Sequence, residues 1–83
     1  MDLKRYKSHK EVTAGEIVRV DGRRIFLRLA NGSEGAVDCK ANMFTRYTPK
    51  QGDFLVCYDS GTKDEYLSFS PRDKFINSYT EVS

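Results

Sequence analysis

The groups with which this chain can do covalent or metal chemistry are few. They are the thiols of Cys39 and Cys57, the imidazole of His9, and the carboxylates of Asp59, Asp64 and Glu65. A nucleophile needs a base beside it, and an imidazole base needs a group that holds its ring. His9 lies between Ser8 and Lys10, where nothing orients it, and it reads as a surface histidine. It is the only histidine, and the two cysteines are too far apart for a zinc spacing. Neither thiol has an obvious base or helix N-terminus next to it, so both read as reduced, buried thiols of a cytosolic protein. The glycines fall mainly at turns, with no phosphate-cradling loop among them. Asp59, Asp64 and Glu65 flank one loop without the regular ligand spacing of a calcium site. The expectation is a binding protein, not an enzyme, with no cofactor and no metal.

The residues suited to binding are basic and aromatic. Net charge is +2, too small to choose a partner, but it is unevenly spread. Residues 1–28 carry eight Lys/Arg against four Asp/Glu, while residues 29–83 carry six against eight. Lys4, Arg5, Lys7 and Lys10 make residues 1–10 a basic arm, expected to be flexible or extended. Such an arm suits nucleic acid or an acidic protein surface, or is simply solvated. Further along, Arg19, Arg24, Phe26 and Arg28 are expected on one sheet face, with Arg19 directly opposite Arg24. Like charges so placed destabilise a hairpin by up to about 1 kcal/mol. Arginines interleaved with an aromatic suit single-stranded nucleic acid, with bases stacked on Phe26 and guanidinium groups on phosphates. The same patch suits a protein partner anchored on Phe26. The bland reading is that the arginine stems cover Phe26 while their heads stay in water.

The elements that position these residues follow from turn chemistry. Asp21-Gly22 and Asn31-Gly32 are strong hairpin signals, because both central positions of a type I′ turn need positive φ. They predict a meander of strands near 12–20, 23–29 and 33–38. Two-residue loops set Val20 opposite Arg23, Val18 opposite Ile25 and Ile17 opposite Phe26. In the second hairpin they set Leu27 opposite Ala36 and Phe26 opposite Val37. Residues 40–47 read as a short helix or helical turn stopped by Pro49. Gln51-Gly52-Asp53 is a turn, residues 54–58 form a central apolar strand, and residues 65–69 form the last strand. Ser70 as N-cap, Pro71 at the first helical position and Asp73 begin a C-terminal helix. So short a helix does not hold alone in water, and Phe75, Ile76 and Tyr79 must dock.

One small domain is expected over residues 11–83, α+β but mostly β. It is a strongly bent antiparallel sheet or partly open five-stranded barrel, SH3-like or OB-like. A short helix sits between strands three and four, and the C-terminal helix packs on the sheet. The expected core is Val18, Ile25, Leu27, Leu29, Leu55, Cys57, Phe69, Phe75, Ile76 and Tyr79. No apolar run follows the N-terminal charges, so no signal peptide is expected. No stretch reaches the roughly 20 apolar residues of a membrane span.

The motif Ser68-Phe69-Ser70-Pro71, Phe75 and Tyr79-Thr80, with Pro49-Lys50-Gln51-Gly52-Asp53 and Leu55-Val56-Cys57-Tyr58 before it, resembles a group of small tailed-bacteriophage and prophage proteins. The opening Tyr6-Lys7-Ser8-His9-Lys10, then Val12 and Ala14, resembles the same group more weakly. The match is best over residues 42–80, and the middle meander does not carry it. The relatives turn more tightly before the last strand than residues 60–65 do here. The resemblance brings no catalytic residues. It implies a phage-encoded accessory protein in the host cytoplasm that binds a host macromolecule, most readily a host protein, and inhibits host defence or gene expression. The alternative is a nucleic-acid-binding small barrel.

Overall fold

The computed structural model describes residues 2–7 and 10–82. His9 lies outside them. The elements run β1 (Lys4–Lys7), β2 (Glu11–Asp21), β3 (Arg24–Arg28), β4 (Glu34–Asp38), a 3₁₀ turn (Ala41–Phe44), β5 (Phe54–Tyr58), β6 (Tyr66–Ser70), α1 (Arg72–Ser78) and β7 (Thr80–Glu81). Seven antiparallel strands replace the five expected. They follow the order β4-β3-β2-β1-β7, with β5 on β2 and β6 on β5, and the sheet does not close on itself. No described helix is long and apolar enough to cross a membrane.

Strand β2 organises the molecule. Its first half pairs with both β1 and β5, and its second half pairs with β3. Ile17 lies opposite Leu27 and Arg19 opposite Phe26, so two steps along β2 match one along β3. The extra residue, Val18, is a β-bulge that bends the strand and changes which side chains face inward. Before the bulge, ordinary alternation gives Val12 and Ala14 to one core, with Phe54, Val56 and Phe75. Ile17 serves the other, with Ile25, Leu27, Cys39 and Leu55. Gly15 sits where the halves meet. A Cβ there would stand 3.0 Å from Leu3 Cδ2 and 3.2 Å from the Arg28 carbonyl oxygen.

Both hairpins form where the turn signals lie, but in other registers. Asp21 pairs with Arg24, so the first loop is Gly22–Arg23 rather than Asp21–Gly22. Gly22 has φ +60° and Arg23 does not have positive φ, which is the pattern of a type II′ turn with glycine first. In the second hairpin the Leu29 N–H donates to Ser33 O and the Gly32 N–H to Leu29 O. That three-residue loop with Gly32 at φ +88° puts Phe26 opposite Ala36, Ile25 opposite Val37 and Leu27 opposite Gly35.

Residues 4–7, in the arm expected to be flexible or extended, form β1. Tyr6 pairs with Val12 and Glu81, and its ring packs 4.8 Å from that of Phe75. Ser70 does not cap α1, because it belongs to β6 opposite Phe54. The first helical N–H, that of Arg72, donates instead to Asp53 Oδ1 at 3.1 Å. Phe75 enters the core, stacked 4.3 Å from Phe54 and 4.9 Å from Tyr79. Ile76, expected beside it, is 48 % exposed, because the seven-residue helix turns one narrow face inward. Val18, Leu29, Phe69 and Tyr79 are half-buried, whereas Val12, Ala14, Ile17, Phe54 and Val56 join the core without having been expected there, and Cys39 is buried as expected of a thiol.

Candidate binding face

The outer side of the β2–β3–β4 hairpins carries four of the eight residues singled out in the sequence. Ile25 and Leu27 are fully buried, so alternation turns Arg24, Phe26 and Arg28 outward. Phe26 lies between Arg19 on β2 and Ala36 on β4. The Arg19 guanidinium carbon is 3.8 Å from the Phe26 ring centroid. This stack is a cation–π contact on a half-buried ring, with a small neighbour on its other flank.

The expected Arg19–Arg24 repulsion is absent. The type II′ loop moves Arg24 opposite Asp21, and β4 brings Asp38 to its other side. Arg24 Nε donates to Asp38 Oδ1 at 2.8 Å and Nη2 to Oδ2 at 3.3 Å, a bidentate pair. That hydrogen bonding holds the Asp38 carboxyl below the usual carboxylate range and pushes Arg24 further up. Arg28 faces Glu34 and donates from Nη1 to the Gly32 carbonyl at 3.1 Å. Each of Arg24 and Arg28 thus has a carboxylate at its register position. Arg19 alone is held by an aromatic ring.

The four basic residues of the expected arm are not brought onto one face. Lys4 pairs with Ala14, while Arg5 and Lys7, opposite Thr13 and Glu11, lie on the other side. Lys4 Nζ is 3.6 Å from Glu81, and Arg5 Nη1 is 3.2 Å from Glu11. Lys10 lies apart, in a groove of about 380 Å³ with Glu11, Val12, Tyr58, Asp59, Tyr66 and Tyr79. Tyr58 and Tyr66 are cross-strand partners whose rings stack at 4.8 Å. Tyr66 is 55 % exposed. Burial, with Tyr79 and Tyr66 beside it, pushes the Tyr58 hydroxyl up to about 12. Sequence reasoning missed this groove, and its signal was the tyrosine at each end of the loop between residues 58 and 66.

A second unforeseen centre is Asp53, a buried carboxylate in a segment read only as a turn. Oδ2 accepts the Tyr47 hydroxyl at 2.6 Å and the Lys50 N–H at 3.0 Å, and Oδ1 caps α1. Burial pushes its carboxyl up, but these hydrogen bonds outweigh burial and hold it below the usual range. Both oxygens are engaged within the fold, so Asp53 is a structural hub. Cys39 and Cys57 are buried and unpaired with each other, and burial pushes both thiols up, away from nucleophilic thiolate. Among the described residues no three His, Cys, Asp or Glu side chains converge as metal ligands do. The chain matches no protein-family model, and no curated protein or solved structure is significantly similar to it.

Proposed function

We propose that this chain is a non-enzymatic binding protein that docks a partner protein on the outer face of β2, β3 and β4. The observation that carries the reading is Arg19 stacked on Phe26 where the neighbouring charges cancel. An arginine already held over an aromatic ring loses little freedom on binding, and Arg and aromatic residues are enriched at the centres of protein interfaces. A surface for nucleic acid needs a net positive field, because phosphate neutralisation supplies most of its affinity. Here Asp21, Asp38 and Glu34 offset Arg24 and Arg28, and Arg19 covers the ring on which a base would stack.

The bent, unclosed sheet supports reading the fold as a partly open SH3-like or OB-like barrel. The resemblance of residues 42–80 to phage proteins supports reading this as a phage-encoded accessory protein. It acts in the host cytoplasm on a host protein and blocks host defence or gene expression.

The test separates the two partner classes. Immobilised chain is exposed to bacterial lysate treated with nuclease, and labelled oligonucleotides are titrated separately at two salt concentrations. A stoichiometric protein retained after nuclease treatment, with weak oligonucleotide binding, is the expected result. Oligonucleotide binding with a steep salt slope, abolished by Arg24→Glu, overturns it in favour of nucleic-acid binding.

A further inference from the structure

The sheet has three ends, β4, β7 and β6. An unpaired edge invites another strand unless charge, brevity or a covering element prevents it. β4 carries Glu34 and Asp38, and β7 is two residues long with Glu81. β6 has neither protection, for Tyr66, Leu67, Ser68, Phe69 and Ser70 are all uncharged. Its one ladder is to β5. Alternate N–H and C=O groups of β6 therefore point away from β5, and among the described residues they have no backbone partner. An edge of this kind is stable in water but is ready for a chain that can satisfy it.

A groove of about 510 Å³ lies against this edge. It is lined by Asn42, Met43, Thr45, Arg46 and Tyr47 from the 3₁₀ turn onward, by Leu67, Ser68 and Phe69 of β6, and by Lys74 of α1. Arg46 and Lys74 are the only charged groups lining it, and neither is in an ion pair among the described residues. Of the carboxylates near these segments in sequence, Asp38 is paired with Arg24, Glu65 accepts from the Gly61 N–H, Asp53 is buried and turned to Tyr47, Lys50 and Arg72, and Asp73 does not line the groove. The groove is thus cationic along an open strand edge.

We infer that this groove takes an extended, acidic segment of a partner protein as an added strand beside β6. The segment pairs with the free backbone groups of β6, which supplies affinity. Its alternate carboxylates meet Arg46 and Lys74, which supplies selection for acidic sequence. A basic strand is repelled. Single-stranded nucleic acid satisfies the two cations but has no peptide ladder to offer β6. The surface is distinct from the Arg19–Phe26 face, and the inference does not depend on that reading.

The probe is a short synthetic peptide of alternating valine and glutamate, with a valine–lysine peptide of equal length as control. Each is titrated into the isotope-labelled full chain and followed by amide NMR shifts and hydrogen exchange. The expected shifts fall on residues 42–47, 66–70 and 74, with slowed exchange at the free amides of β6. Reversing both charges, Arg46→Glu with Lys74→Glu, weakens binding about tenfold or more. Both side chains are exposed, so that variant keeps its fold, as its spectrum away from the groove will report. Methylating alternate backbone nitrogens of the valine–glutamate peptide preserves its charge and abolishes binding. Phe26→Ala leaves peptide binding unchanged. The inference is overturned by failure of the acidic peptide to bind, by equal binding of the lysine control, or by indifference to N-methylation or charge reversal. A single-stranded oligonucleotide that outcompetes the peptide, or a dimer of this chain formed through β6, overturns it as well.

Discussion

A single buried carboxylate ties the turn after residue 47 to the helix and the sheet. Asp53 accepts hydrogen bonds from a hydroxyl and two backbone N–H groups, which belong to Tyr47, Lys50 and Arg72. Asp53→Ala leaves those donors unsatisfied, and we expect a loss of about 2–4 kcal/mol, measured by urea unfolding. The pH dependence has a definite sign. The folded carboxyl titrates below the unfolded value of about 3.9, so its contribution is present above that value and is lost as pH falls through the folded one. Asp53→Asn should therefore flatten the acid limb of the stability curve below about pH 4. At the alkaline end the sign reverses. Tyr58 is pushed up to about 12 from an unfolded value of about 10, so its contribution is present below the lower value and is lost as pH rises through the higher. Tyr58→Phe should remove that part of the alkaline destabilisation, and an unchanged alkaline limb contradicts the assignment. Of these residues the sequence disclosed little. Asp53 follows a glycine and reads as turn chemistry, because one of its partners, the Arg72 N–H, lies 19 residues away in sequence.

Hairpins, bulge and helix show how far local signals reach. Both glycine-bearing turns lie where the sequence places them. Their registers do not, because Gly22 fits a turn as its first or its second central residue. The choice moves Arg24 from beside another arginine to between two aspartates. The bulge at Val18 had no signal, since it answers to the bend that β2 makes in pairing with β1, β5 and β3. Gly15 marks that bend. Gly15→Val sets new atoms against Leu3 and the Arg28 carbonyl, which lie 3.0 Å and 3.2 Å from a Cβ. A cost of about 1–3 kcal/mol is expected from a shifted denaturant midpoint, and an unshifted one contradicts the close approach. Helix α1 was legible from Pro71, Asp73 and Phe75, but its cap was not, because Asp53 is distant in sequence. Phe75→Ala, which opens a cavity among Tyr6, Phe54 and Tyr79, should cost about 3–5 kcal/mol by the same measurement.

At the scale of the molecule, β2 is one bent strand that serves two cores, Val12 and Ala14 in one and Ile17 in the other. Mostly β architecture with a terminal helix was legible in alternation and turns. The two extra strands were not, because β1 and β7 are short and polar and exist through pairing with each other and with β2. The candidate site divides the same way. Arg19 and Phe26 meet, since a hairpin is local, whereas Lys4, Arg5, Lys7 and Lys10 disperse over two faces and a groove. A sequence lists charges, and only strand pairing reveals that Asp38 and Glu34 stand opposite Arg24 and Arg28. The proposed docking surface is therefore a charge-balanced face centred on one Arg–Phe stack. Its most direct test is the affinity of the partner retained from lysate for wild type and for Phe26→Ala, measured by calorimetry at matched folding. We predict a loss of about tenfold or more for the variant, with weak salt dependence in both. Equal affinities, or a loss seen only at low salt, would contradict the claim.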